Sequence, residues 1–107
     1  MANNFNVARD INVASSWVVL YTGPGSGETV VQNVSFANTS AASRTVSMRI
    51  RDSGDSSTLV TLLTDIPIPV ASTFIYPTFN MGNDEKISIE ADSATGIDAQ
   101  VSVLEIT

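Results

Sequence analysis

Apolar and polar residues alternate with a period of two along most of this chain, and no stretch holds a helical period long enough to make a helix. Such alternation sends successive side chains to opposite faces of an extended backbone, so it predicts half-buried strands. From Arg44 to Asp52, Val46, Met48 and Ile50 alternate with Thr45, Ser47, Arg49 and Arg51. From Lys86 to Asp92, Ile87, Ile89 and Ala91 point inward while Ser88 and Glu90 point outward. From Thr29 to Asn38, Val30, Val34 and Phe36 oppose Asn33, Ser35 and Ala37, and the register breaks at Val31 and Gln32, where a bulge is expected. In Asp98 to Ile106, Val101 and Val103 take one face and Leu104 and Ile106 the other, which places a register change near Val103 and Leu104.

Two segments are apolar on both faces: Ser16 to Thr22, SWVVLYT, and Leu59 to Leu63, LVTLL. They predict strands covered on two sides, or covered on the second side by a neighbouring subunit. Ser72 to Phe79 is aromatic and β-branched but contains Pro77, which fits an edge strand or a bulge. Ile66-Pro67-Ile68-Pro69 must be extended, because proline fixes its own φ and biases its predecessor away from helix. Turn clusters at Gly23 to Gly27, Thr39 to Ser43, Asp52 to Asp55, Gly82 to Asp84 and Thr95-Gly96 separate these runs. The pattern predicts an all-β fold: an antiparallel two-sheet β-sandwich, jelly-roll or Ig-like, of seven to eight strands. A chain of 107 residues makes one such domain, here 13–107. Residues 1–12 are polar and Asn-rich and read as an N-terminal arm, with a possible short strand at Phe5 to Arg9.

Composition narrows the function. Five Lys and Arg stand against eleven Asp and Glu, a net charge of −6. So few cations cannot neutralise a polyanion, so neither nucleic acid nor an anionic membrane is expected as a partner. No apolar run is long enough to span a bilayer, and MANNFNVARD shows no secretory leader. With no cysteine and no histidine, disulfides, thiol nucleophiles, the Ser-His-Asp triad and most transition-metal chemistry are excluded.

The remaining candidate sites favour plain structure. Gly23 to Gly27 lacks a following Lys-Ser/Thr pair and joins strand to strand, so it is a hairpin loop rather than a phosphate cradle. Asp52 to Asp55 and Asn83-Asp84-Glu85 carry oxygens but not EF-hand spacing; Asx turns explain them, and calcium stays an open alternative. Glu90 and Asp92 share an outward face and read as solubilising charges rather than a glycosidase pair. Nothing supplies a tuned acid, base or nucleophile, so an enzyme is not expected, and neither is a cofactor. The candidate interface residues are Trp17, Tyr21, Tyr76, Arg49 and Arg51. Arg49 and Arg51 are expected to pair with Glu90 and Asp92 across strands, or with carboxylates of a partner. Trp17 and Phe36 are expected in the core, and Tyr76 beside an edge.

Several blocks read together: LYTGP at Leu20 to Pro24, Ala37-Asn38-Thr39, Ile66-Pro67-Ile68-Pro69, and SVLEI at Ser102 to Ile106. In this order they resemble small β-sandwich structural proteins of tailed bacteriophages, over about residues 16 to 106. The resemblance implies a non-enzymatic virion component with no catalytic residues to carry over. Its first implication is a capsid decoration or cement protein that bridges capsid subunits, assembled in the host cytoplasm. The alternative is a neck or tail/fibre-attachment component. Partners would be other virion proteins and further copies of the chain, with residues Met1 to Asn12 ordering on a neighbour. A carbohydrate- or receptor-binding module, built on Trp17, Tyr21 and Tyr76, is the reading from a different class.

Overall fold

The computed structural model describes residues 3–107; Met1 and Ala2, the start of the expected arm, lie outside the described residues. Nine strands follow one another: β1 (Asn3–Asp10), β2 (Val18–Thr22), β3 (Glu28–Asn38), β4 (Arg44–Arg51), β5 (Thr58–Ile68), β6 (Thr73–Tyr76), β7 (Phe79–Met81), β8 (Lys86–Ala91) and β9 (Ile97–Ile106). They form two antiparallel sheets, one ordered β1-β9-β3-β6 with β7 also on β3, the other β2-β8-β4-β5. Pro77 and Thr78 interrupt one edge ribbon, and β6 and β7 are its two halves, both paired with β3. Counted as one, they leave eight strands in which first pairs with last, second with seventh, third with sixth and fourth with fifth. That is a long hairpin rolled into a sandwich, the jelly roll, and it selects between the two expected topologies.

Each sheet contributes one face to a shared interior. Val31, Val34 and Phe36 of β3 and Ile97, Val101 and Val103 of β9 face Val46 and Met48 of β4 and Ile87 and Ile89 of β8; all are essentially inaccessible to solvent. The central strands therefore carry the core, as their alternation predicts.

The irregularities have local causes. Between β3 and β9 the register shifts between Val31 and Asn33, so Gln32 is the bulged residue. The bulge lies opposite the break at Pro77, and the Thr78 hydroxyl donates to the Gln32 carbonyl at 2.9 Å. The register change expected near Val103 and Leu104 thus belongs to β3; β9 pairs without interruption against β1. In β2 the register shifts between Val19 and Tyr21, and both Leu20 and Tyr21 become buried. This bulge explains one doubly apolar segment within the monomer. The other is different: Leu59 and Val60 of β5 remain about half exposed. Strand β5 runs well past Leu63, through Pro67 to Ile68, on the sheet edge where proline is tolerated.

Residues Asn3–Asp10 do not form a free arm. They pair as β1 with β9 over eight consecutive positions, from Asn3 with Ile106 to Asp10 with Ala99. Yet no β1 side chain is fully buried. Ordering each residue costs about 1–2 kcal/mol. Each ladder hydrogen bond contributes about 0.5–1.5 kcal/mol in return. With Ala8 alone partly packed on the core, such a strand is marginal.

One polar strut ties the sheets together. The Tyr21 hydroxyl of β2 donates to the Glu105 carboxylate of β9. Burial, then the hydrogen bond and charge of Glu105, push the Tyr21 phenol up to about 12. At the β4–β5 hairpin, Asp52 accepts from the backbone amides of Ser56 and Ser57 and from both their hydroxyls. Those hydrogen bonds hold its carboxyl at about 2, below the ordinary carboxylate range. This is the Asx-type turn expected there.

Two outcomes test this framework. Phe36→Ala should cost about 3–5 kcal/mol in urea denaturation, because Phe36 is fully buried, whereas Ile75→Ala, at 62% exposure, should stay within about 0.5 kcal/mol. The folded state holds the Tyr21 proton more tightly than the unfolded state, so that contribution is complete below pH 10 and is lost as pH rises from 10 towards 12. Tyr21→Phe should flatten this alkaline loss of stability, read as melting temperature against pH; an unchanged profile would refute the strut.

Candidate functional site

The five candidate interface residues do not come together. Tyr21 lies in the core, 7% exposed, which removes it from the open surface. Tyr76 points inward from β6 opposite Val34, half-buried, and meets Phe79 edge-on with centroids 5.6 Å apart. Trp17 lies on the opposite sheet, so a sugar-stacking platform built on these three aromatics does not form.

Trp17, Arg49 and Arg51 belong instead to the outer face of the β2-β8-β4-β5 sheet. Register sets a cross-strand row there: Val19, Ser88, Arg49 and Thr61. The Arg49 guanidinium stacks on the Trp17 ring, 3.9 Å from its centroid. Trp17 is therefore no core residue. It sits just before β2, reaches over the outside of the sheet and is half-buried. Beneath this stack Ser88 is nearly inaccessible, and the Arg49 Nε is buried with no hydrogen-bond partner among the described residues.

The expected pairing of the arginines with Glu90 and Asp92 is not found. Arg49 faces Ser88 and Arg51 faces Lys86, while Glu90 lies opposite Ser47. Arg51 instead turns to the hairpin, where Nε meets Asp55 at 3.0 Å, Nη1 meets Thr58 Oγ1 at 2.9 Å and Nη2 meets the Asp55 carbonyl at 2.8 Å. Arg49, Arg51 and Lys86, three of the five cations of the chain, thus share one face.

A second surface escaped the sequence reading. On the outer face of the other sheet, Phe5 and Val7 of β1 are 74% and 43% exposed, and Ile11, just past β1, is 73% exposed. Phe5 pairs with Leu104, which pairs with Val30, so an apolar row crosses three strands. The clue was there: Phe5 and Val7 alternate with Asn4 and Asn6, but the Asn content drew the segment into a polar arm. Beside this row an open hollow of about 270 Å³ is lined by Arg9, Ile11, Ser35, Ala37, Asp98 and Gln100. Part of its polar lining is already engaged: Arg9 Nε donates to Gln100 at 2.8 Å, and the Asn12 amide donates to Asp98 at 2.9 Å.

Among the described residues no three acidic side chains converge to hold a metal ion. The Asp52 and Asp55 carboxylates are engaged by the hairpin and Arg51, and Glu85 accepts from the Gly82 amide at 2.8 Å. What the two faces offer is apolar, aromatic and cationic contact area.

No protein-family model matches the chain, and no curated protein matches it by sequence. Solved structures do. One is a protein of Bacillus endospore appendages, which form a novel family of disulfide-linked pili: TM-score 0.60, 10% identity, 96% of this chain and 83% of that one. Another is a chain of the T13 particle of IBDV, an icosahedral virus: TM-score 0.57, 11% identity, 96% of this chain but 31% of that one. The chain thus spans about a third of the viral protein it matches. At these identities the likeness is one of fold, and the disulfides of the pili have no counterpart in a chain without cysteine.

Proposed function

We propose that this protein is a non-enzymatic structural subunit, and that it serves as a decoration or cement protein on a phage capsid. The observation that carries the proposal is that both outer faces of one sandwich offer contact residues: the exposed Phe5, Val7 and Ile11 on one, and the half-buried Trp17–Arg49 stack with Arg51 on the other. A sandwich with contact area on two opposite faces can bridge two neighbours. Aromatic and Arg side chains are the usual anchors of such contacts. Exposed apolar side chains gathered on one face fit a surface buried in an assembly. The likeness to a pilus protein and a viral capsid chain supports the assembly reading, and the phage assignment rests on the sequence blocks named above. A neck or tail site would use the same faces in fewer copies.

Quantitative mass spectrometry of purified particles, referenced to the major capsid protein, tests the role. Hundreds of copies support decoration; a few dozen or fewer move the protein to the neck or tail; absence overturns the structural reading. Trp17 is the chain's only tryptophan, so its fluorescence reports the second face. Burial in an assembly should shift its emission to the blue. A denaturation cycle of Trp17→Ala and Arg49→Ala should show a coupling of about 0.5–2 kcal/mol from the cation–π stack.

A further inference from the structure

Strand β1 differs from every other edge of the sandwich. The edge strand β5 is blunted by register shifts at three points along β4 and by Pro67, devices that resist pairing with another chain. Strand β1 has none: its pairing with β9 is uninterrupted for eight residues. Of its inward side chains Asn4 and Asn6 are exposed and Ala8 and Asp10 only half-buried, and its outward Phe5 and Val7 are exposed too. The ladder to β9 holds it, with little else beside the partial packing of Ala8 on the core and the Arg9–Gln100 hydrogen bond.

The boundary between β1 and the packed domain is sharp. Asn12 has a left-handed backbone, φ 58, and the next residue, Val13, is fully buried, with its amide donating to the Ile97 carbonyl at 2.8 Å. Before Asn12 only Ala8 packs against the core, and only in part, so β1 can leave β9 while uncovering little of it. An extended β1 spans about 26 Å, comparable to the 27 Å middle dimension of the molecule.

We propose that β1 is an exchangeable strand: in the assembled state it pivots at Asn12 and pairs with β9 of a second copy. This rests on the structural-subunit reading above. The occupant is fixed by complementarity already present, because the strand that fits beside β9 in this register is β1 itself. Within and between chains the ladder is the same, so exchange loses no hydrogen bond. What tips the balance is the contact between copies, which can cover Phe5, Val7 and Ile11 where the monomer leaves them in water.

The absence of cysteine makes the test clean. Val7 and Ser102 are direct cross-strand partners on the outer face, as are Arg9 and Gln100. The full chain carrying Val7→Cys with Ser102→Cys, or Arg9→Cys with Gln100→Cys, is concentrated, its assembly followed by size-exclusion chromatography, then oxidised and run on a non-reducing denaturing gel. The proposal expects a ladder of covalently linked copies from the assembled fractions with both pairs, and no ladder beyond dimers from any single-cysteine chain. Assembled fractions linked only within each chain overturn the exchange and leave the structural-subunit reading standing. A chain that stays monomeric at all concentrations, and is absent from particles, overturns both.

Discussion

The fold depends on alternation along four central strands. β3 and β9 in one sheet, β4 and β8 in the other, each present every second residue to the interior, and those residues make up nearly all of the fully buried side chains. A one-residue slip in any of them would turn its apolar set to solvent, so register is strongly specified there. Where the count is off by one, at Gln32 and between Val19 and Tyr21, a bulge absorbs the difference and the inward set is kept. The Thr78 hydroxyl at Gln32, and Ser47 accepting from the Asp65 amide at 3.0 Å where β4 and β5 lose register, show how backbone groups are satisfied at such places.

With the core concentrated in the centre, the edges are free to differ. β5 is long, irregular and proline-bearing. β6 and β7 are short halves of one strand. β1 is regular and poorly buried. The same chain thus holds one edge resistant to further pairing and one held by little but its own ladder. Burial is unevenly spread in consequence, and the strand with no fully buried side chain, β1, also carries the exposed Phe5 and Val7.

The sequence made the central strands legible because both partners of each pair obey a period of two. It failed at Trp17, which belongs to an apolar run and so reads as core. Its place is decided by the cross-strand position of Arg49, a tertiary fact that no local pattern contains. It fails again at Arg49 and Arg51: face and sign point to acidic partners, while pairing depends on register, and register puts Ser88 and Lys86 opposite them. β1 was half legible. Its alternation is visible, but a strand with a polar inward face has the composition of an arm.

Charge explains why the cationic face lies where it does. At a net charge of −6, copies of this chain repel one another and repel any acidic neighbour. Most of the eleven acids sit in turns and at strand ends, where water screens them. A close contact must then be made through surface that carries little negative charge or carries the opposite sign. The apolar row on β1, β9 and β3 meets the first condition; the other outer face carries Arg49, Arg51 and Lys86 against the single Glu90 along β4 and β8, and meets the second. Arg51 is partly neutralised by Asp55, but the Arg49 charge is shared only with the Trp17 ring. A stacked guanidinium without an acid partner keeps its attraction for a carboxylate while its side chain is already held in place, so less rotamer freedom is lost on docking.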